Sequence, residues 1–197
     1  MKSPGLLIAL GIIVIILFWG CSGYNGLVSQ DENVKNKWNN VQSDYQRRAD
    51  LIPNLVNTVK GEANFEKSTL EAVIQARASA TQVKVEANDL TPEKMQQYQQ
   101  AQGALSQSLG RLLAVAENYP NLQTNQAFQG LQAQLEGTEN RIKVSRNDFN
   151  AAIQDYNVRV RRFPVNIIAG MLGFHVKEGF QAEAGSENAP KVEFDSK

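Results

Sequence analysis

Beyond residue 31, apolar side chains recur at alternating steps of three and four residues, the periodicity of helices that bury one face. The first such stretch ends at Gly61, and Arg48 takes its one seam position that is not apolar. Pro53 lies inside the stretch and removes a backbone donor, so we expect it to kink the helix or a new turn to start after Asp50. The apolar seam positions are Val34, Trp38, Val41, Tyr45, Ile52, Leu55 and Val59.

Three further stretches show the same periodicity. The second helix is expected from about Glu66 to Asn88. The third begins at Thr91-Pro92, where a cap residue precedes a proline at the first helical position, and it stops before Pro120. The fourth keeps its spacing from Phe128 until Pro164, and no strand-like alternation of any length occurs. The sequence therefore predicts an all-α protein, a long antiparallel up-and-down four-helix bundle.

An uncharged apolar segment precedes the bundle. No charge occurs between Lys2 and Asp31, and the roughly 20 residues from Gly5 onward match a hydrocarbon core of ~30 Å at 1.5 Å per residue. We expect a single transmembrane helix. With Lys2 on the short side, the positive-inside rule predicts the N-terminus in and the bundle on the extracytoplasmic side. The membrane-anchor residues are represented by Leu6, Ile12, Ile16, Trp19 and Tyr24.

Two alternatives to an uncleaved anchor stay open, a cleaved secretory signal and a lipoprotein signal ending at Cys21. Phe18-Trp19-Gly20 matches the small-residue pattern of ordinary signal peptidase poorly. Gly20 before Cys21 fits a lipobox better, so Cys21 is a candidate for lipidation. Length and flanking residues favour the uncleaved helix. The uncleaved anchor and both alternatives place most of the protein outside the cytoplasm.

The helix lengths predict where the fourth helix ends. At 1.5 Å per residue the four helices span roughly 54, 35, 40 and 60 Å, and short connections make neighbours antiparallel. The alternating sum is close to zero, so the end of the fourth helix should return to the membrane surface. Four parts follow: an anchor over 1–23, the bundle over 24–164, a short membrane-proximal apolar segment over 165–180, and a polar tail over 181–197 that is expected to be disordered.

The apolar stretch at this returning end runs from Phe163 to Phe174 and is too short to span a bilayer. One interpretation is a hydrophobic tail folded along the bundle. The other is a segment at the membrane interface, with neighbouring arginines meeting lipid phosphates. The candidate interfacial residues are Arg161, Arg162, Phe163, Ile168, Met171, Leu172 and Phe174.

Composition argues against several classes of function. Lys plus Arg and Asp plus Glu are both 20, so no net charge attracts nucleic acid. The only cysteine, Cys21, and the only histidine, His175, cannot form a disulfide or a four-ligand Cys/His zinc site within one chain. No phosphate-binding loop, dinucleotide glycine pattern or Ser/His/Asp set in a plausible context occurs. We expect no enzyme activity, cofactor, metal or small-molecule substrate. Arg48, among apolar neighbours, should have a structural role and needs a carboxylate or carbonyl partner.

Six motifs, in order along the chain, resemble the LemA family. The resemblance covers residues 24 to about 175. It implies a bacterial protein with a short N-terminal anchor in the cytoplasmic membrane and a long antiparallel helical bundle, and it brings no catalytic residues. The motifs are Tyr24-Asn-Gly-Leu-Val28, Tyr45-Gln-Arg-Arg-Ala-Asp-Leu-Ile-Pro-Asn-Leu-Val56, Glu66-Lys-Ser-Thr-Leu-Glu-Ala-Val73, Ala116-Glu-Asn-Tyr-Pro-Asn-Leu122, Glu139-Asn-Arg-Ile-Lys-Val144 and Tyr156-Asn-Val-Arg-Val-Arg-Arg-Phe-Pro164.

Three functions compete. The first is a self-associating structural or scaffolding component of the envelope, with Val34 and Trp38 at the contact because the shorter second helix leaves them uncovered. The second is an adaptor whose distal tip, residues 64–67 and 118–121, binds a membrane protease or another envelope protein. The third is membrane remodelling through the 163–174 stretch. The expected partners are membrane lipid, further copies of the chain and, for the adaptor, an envelope protein.

Overall fold

The computed structural model describes residues 4–62 and 65–181, and within these residues every regular element is a helix. Four long helices form an antiparallel bundle, as the periodicity predicted. A single helical turn separates the third from the fourth long helix, and a short helix follows the fourth. The six helices are α1 Pro4–Lys60, α2 Lys67–Gln82, α3 Pro92–Ala116, α4 Pro120–Gln123, α5 Gln126–Arg161 and α6 Val165–Met171.

The apolar N-terminal segment and the first bundle helix are one continuous helix, α1, which also runs through Pro53. The expectation that a new turn starts after Asp50 is therefore wrong. A proline inside a helix costs about 3 kcal/mol. Here Ile52, Leu55 and Val59, on both sides of the proline, are all buried. Continuing the helix keeps these side chains in the core, and their burial offsets the lost backbone hydrogen bond.

Side-chain contacts define how the helices pair. α1 and α5 are antiparallel, since Lys37 Nζ lies 2.7 Å from Asp148 Oδ2 and, higher up, Arg48 Nη1 lies 2.7 Å from Glu139 Oε1. α2 and α3 form a second antiparallel pair that packs on the first. Thr91 caps α3 through the backbone N–H of Lys94, with Pro92 at the first helical position, as the sequence predicted.

α2 is shorter than predicted, because it ends at Gln82 and not near Asn88. Val83 leaves the helix in an extended conformation, and the following residues cross the bundle without regular structure. The carbonyl oxygen of Val85 accepts hydrogen bonds from Trp38 Nε1 at 2.9 Å and from the Gln42 side chain at 3.0 Å. Since Val85 itself is buried, tertiary contacts with α1 replace the last turns of the predicted helix.

Arg48 is buried at mid-height in the bundle and has the partner that the sequence required. Its side chain is 1% exposed and donates to Glu139, to the Ser106 hydroxyl and to the Gln102 side chain and carbonyl, at 2.6–3.2 Å. Glu139 is 46% exposed, so water also solvates this carboxylate. The core has a lower part, which includes Trp38 and Phe149, and an upper part, which includes Leu55 and Leu112. Arg48 cross-links α1, α3 and α5 at the boundary between these two parts.

After α6 the chain lies against the bundle as an irregular segment, residues 174–181, which we call the strap. Phe180 of the strap is buried among rings of the lower core. The predicted membrane-proximal part, 165–180, thus contains both α6 and most of a segment that packs on the bundle. The predicted disordered tail is 181–197. Gln181 is described and belongs to the strap, and the rest of the tail, from residue 182 onward, lies outside the described residues.

Candidate membrane-proximal site

The end of the chain's fourth long helix returns to the lower end of the bundle, as the helix lengths predicted. α6 packs on α1 at Gly23, where an added Cβ would lie 3.3 Å from Ile168 Cδ1 and 3.7 Å from Val165 Cγ2. The rings of Tyr24 and Phe174 meet edge to face, with centroids 6.1 Å apart. Glycine at position 23 thus permits the close approach that brings α6 beside the top of the apolar N-terminal segment.

The structure divides the predicted interfacial residues into two groups. Ile168 and Phe174 are partly buried because they face α1. Phe163 and Met171 point away from the bundle and are 76% and 81% exposed. Leu172, Arg161 and Arg162 are also exposed, and so is Ile167, which belongs to the same surface. We call the exposed apolar surface formed by Phe163, Ile167, Met171 and Leu172 the base.

The apolar part of α1 continues below the base. Among the described residues, one helix is long and apolar enough to cross a membrane, judged by length and composition. Little of its apolar window is buried within the chain, so this window lies outside the bundle core, to which only the later residues of α1 belong. Trp19 and Tyr24 are exposed there, as is Cys21. The side chains of the predicted anchor residues Leu6, Ile12 and Ile16 lie outside what the structure describes.

A charged cluster holds the lower bundle together just above the base. Asp31 accepts from Lys177 Nζ at 2.7 Å and from Lys35 Nζ at 2.9 Å. Burial raises the pKa of the Asp31 carboxyl, but the hydrogen bonds from both lysines outweigh this and bring the pKa below its usual value. Burial raises the pKa of Tyr156, whose ring lies 5.2 Å from Lys177 Nζ, to about 12. These contacts tie the strap to α1 and α5.

Comparison with known proteins agrees with this architecture. The sequence model of the LemA family matches residues 37–194. The chain belongs to the LemA family. Family membership and the exposed apolar helix both indicate a membrane-associated helical protein.

Three curated relatives of this LemA-family chain are named magnetosome proteins. MamQ 1 and MamQ 2 of Paramagnetospirillum magneticum are each 29% identical to it over 83% of this chain and 66% of the relative. MamQ of Magnetospirillum gryphiswaldense is 26% identical over 92% of this chain and 74% of its own length. Protein LemA of Metamycoplasma hominis is 22% identical over 80% and 68%. The chain spans just under two thirds of the length of MamQ 1 and MamQ 2.

The predicted self-association residues of this LemA-family chain do not form a free surface. Val34 and Trp38 are both 0% exposed. The Trp38 ring packs against Phe149 and Tyr98, at centroid distances of 5.0 and 5.3 Å, and against Phe180 of the strap at 6.0 Å. The expectation that these two side chains are left uncovered was wrong because it counted only helices as cover, whereas the irregular 83–90 segment and the strap close this side of the bundle.

The distal tip of the bundle, the surface predicted for an adaptor, is partly closed by contacts within the chain. The rings of Phe65 and Tyr119 stack at 5.0 Å, and Asn121 donates to Glu62 at 3.2 Å. Ala63 and Asn64 lie outside the described residues. Within the described part of the chain, no group of three or more His, Cys, Asp or Glu side chains could hold a metal ion. The base differs from the tip in that its large apolar side chains are exposed.

Proposed function

We propose that this protein is a membrane-anchored structural component of the bacterial envelope that self-associates into a scaffold. The observation that carries the membrane contact is the base, an exposed apolar surface beside the point where the apolar part of α1 leaves the bundle. Water does not favour an apolar surface of this kind, whereas a lipid interface does. α1 crosses the membrane, and the base lies on it.

The base fits the membrane interface in size and charge. α6 has seven residues, about 10 Å of helix, so it cannot span a bilayer and lies along its surface. Arg161 and Arg162, exposed at the end of α5, are at the height of lipid headgroups and bind phosphates. Contact at two places, α1 and the base, fixes the bundle upright on the membrane.

The orientation follows from the charges on each side of the apolar segment of α1. Lys2 precedes the apolar segment, and Asp31 and Glu32 are the first charges after it. The positive-inside rule then favours a cytoplasmic N-terminus and an extracytoplasmic bundle. A lipid on Cys21 would anchor the same bundle on the same side, with the base at the same height.

A stripe on α5 is our candidate surface for lateral association. Val144, Ala151 and Val158 follow one another at seven-residue spacing, and all three are exposed. The same stripe on a second copy packs against it side by side, which removes the three apolar side chains from water. The names of the MamQ relatives assign those proteins to the magnetosome, and none of the four relatives described above has the name of an enzyme. Both facts support a structural role for this chain.

Native mass spectrometry of the full-length protein, extracted gently from its own membrane, tests self-association. We expect a defined multi-copy complex that the double substitution Val144→Asp with Val158→Asp dissociates. The double substitution Ile74→Asp with Ala78→Asp is the matched control, because it places the same two charges at exposed apolar positions of α2, and it should leave the complex intact. A lone protomer, or one copy bound to a different protein, would contradict the scaffold and favour the adaptor.

Membrane contact by the base is tested separately. A fluorophore attached to Met171→Cys, in a Cys21→Ser background and in lipid bilayers, should be quenched by lipids carrying a quencher in the headgroup region. The same fluorophore at Ile74→Cys should not be quenched. Arg77, one turn from Ile74 on α2, donates to the carbonyl of Ala49, which lies about 39 Å along α1 from Gly23 beside the base, at 1.5 Å per residue. Equal quenching at the two sites would show that the base does not rest on the membrane.

A further inference from the structure

The strap is bound to the bundle as an extended peptide is bound to a receptor. The Asn157 side-chain amide accepts from the N–H of Lys177 and donates to its carbonyl, at 2.9 and 2.8 Å. Asn150 makes the same pair of bonds with the backbone of Phe180, at 2.8 and 3.0 Å. From α3, Gln99 repeats the arrangement with Gln181, at 3.2 and 2.9 Å.

The two asparagines of α5 match the repeat of an extended chain. Asn150 and Asn157 are seven residues apart, which is about 10.5 Å along a helix. The strap residues that they hold, Lys177 and Phe180, are three apart, which is about 10 Å for an extended chain. The strap therefore runs antiparallel to α5, and each amide recognises main-chain atoms that every extended peptide offers.

Two pockets add side-chain specificity. Phe180 lies among the rings of Trp38 and Phe149, with the Arg146 guanidinium 4.5 Å from its centroid. Lys177 reaches Asp31 Oδ1 at 2.7 Å and the carbonyl of Ala87 at 3.1 Å. Together these contacts define a groove for an extended segment with a lysine three residues before a phenylalanine.

Position 179 of the occupant must be glycine. A Cβ there would lie 2.6 Å from Asn150 Oδ1, inside the hydrogen-bonded pair that holds Phe180. The groove is therefore specific for the sequence Lys177-Glu-Gly-Phe180, because it has a requirement at three of the four positions, 177, 179 and 180. Such a complete match is a property of this chain's own strap, and every copy of the protein carries it.

We infer that in the assembled protein this groove receives the strap of a neighbouring copy, so that straps are exchanged between protomers. The inference rests on the proposed self-association. Exchange of identical segments restores every contact of the groove and changes only the connection, which makes it a low-cost route to assembly. The connection between α6 and the strap is short and includes Gly173, whose φ of +78° marks a turn that glycine adopts without strain.

The membrane favours the exchange geometrically. Copies anchored by the same α1 and resting on the same base stand at equal height, so a strap that leaves one groove is level with the groove beside it. Under exchange, Trp38 contacts a neighbouring copy although it is buried, because the neighbour's Phe180 covers it. Loss of the strap without replacement would expose this part of the aromatic core.

Carbodiimide coupling of the unmodified full-length protein in its own membrane is the first test. The reagent joins Lys177 Nζ to the Asp31 carboxyl without a spacer, and these atoms are already 2.7 Å apart. Strap exchange requires the linked Asp31–Lys177 peptides in the dimer band of a denaturing gel. Their confinement to the monomer band would overturn it. Lys177→Arg, which keeps the charge but does not couple, should remove the linked peptides from both bands.

A cysteine pair separates exchange from incidental dimers. A Cβ at position 179 would lie 3.3 Å from Asn150 Cγ, so cysteines at 150 and 179 are placed for a disulfide. In a Cys21→Ser background, two differently tagged forms of the chain that carries both Asn150→Cys and Gly179→Cys are produced together, so that each strap fits its own groove and a neighbour's groove equally well. Exchange predicts disulfide-linked pairs that carry both tags, well above those formed by Gly137→Cys with Gly179→Cys.

The two proposals fail in different ways. The chain with both Asn150→Cys and Gly179→Cys shows whether the variant groove still holds a strap, because it forms the disulfide either within a chain or between chains. A disulfide within this double variant, with no mixed-tag pairs, would overturn the exchange. If native mass spectrometry still finds a multi-copy complex, the scaffold stands and only the exchange is lost.

Discussion

The burial of Phe180 predicts a large effect for a residue near the end of the described chain. Phe180 is 7% exposed, and its ring lies within 6.5 Å of the rings of Trp38, Tyr45 and Phe149. Truncating a buried phenylalanine to alanine costs about 3–5 kcal/mol in well-packed cores. The strap can undock and relax, so we expect Phe180→Ala to cost about 3 kcal/mol, at the lower end of that range.

Thermal unfolding of the detergent-extracted protein, followed by far-ultraviolet circular dichroism, measures this cost. For a domain of this size about 3 kcal/mol lowers Tm by roughly 6–12 °C. In a Trp19→Phe background Trp38 is the remaining tryptophan, and its emission should shift to longer wavelength as water reaches the ring. Val176→Ala is the control, since Val176 is a strap residue that is 58% exposed.

Undocking also limits what further strap mutations can do. Asn150→Ala alone leaves the backbone N–H and carbonyl of Phe180 without partners and should weaken the strap. Combined with Phe180→Ala it should cost less than the sum of the single changes, because the strap is already released. The reasoning would be refuted if Phe180→Ala changed Tm no more than Val176→Ala and left the Trp38 emission unchanged.

Three further predictions follow from the bundle. Arg48→Ala should cost about 2–3 kcal/mol of unfolding free energy, less than a fully buried ion pair, because water solvates the freed Glu139. Arg48→Met should lose about half as much in the same melt, since it keeps the apolar stem. Asp31, whose pKa is lowered on folding, contributes stability that is present above a pH of about 4 and lost as the pH falls below it. Tm measured from pH 6 to 2 should therefore depend less on pH in Asp31→Asn, and an unchanged slope would contradict the Lys177 contact. Asn125 accepts from two backbone N–H groups at the start of α5, so Asn125→Ala should cost about 1 kcal/mol by denaturant unfolding, whereas no loss would show that the cap is dispensable.

Much of the bundle could be predicted from the sequence because its information is local and periodic. The seam positions of α1 are indeed buried, and the Thr91-Pro92 start of α3 was predicted to the residue. Arg48 was recognised as buried from its neighbours alone. Its partner Glu139 was not, because nothing in the spacing of a helix specifies which residue of another helix faces it.

The candidate site was only partly predictable. Hydropathy identified the 163–174 stretch but did not separate Ile168, which faces α1, from Met171, which faces outward. A weak signal existed: Gly23 and Gly26 on α1 permit close approach of other groups, and Ile168 and Arg159 are the side chains that lie against them. Such a signal shows that something approaches, but not which residue.

The strap shows why other parts could not be predicted. Residues 174–181 have no helical period and no alternation, because amides on other elements hold this segment by its backbone. The same limit applies to α2, where the carbonyl of Val85 accepts a hydrogen bond from Trp38 and Val85 does not extend the helix. In both places a contact distant in sequence outweighs local preference.

The sequence by itself determined the four long helices apart from the end of α2, their antiparallel order, the apolar segment at the N-terminus and the return of the chain to it, since each depends on local pattern and length. Only the tertiary structure decided which side chains of that returning end stay exposed and that Trp38 is covered. The physical reason is that an irregular segment makes its contacts through backbone atoms, which are the same in every residue and leave no pattern in the sequence.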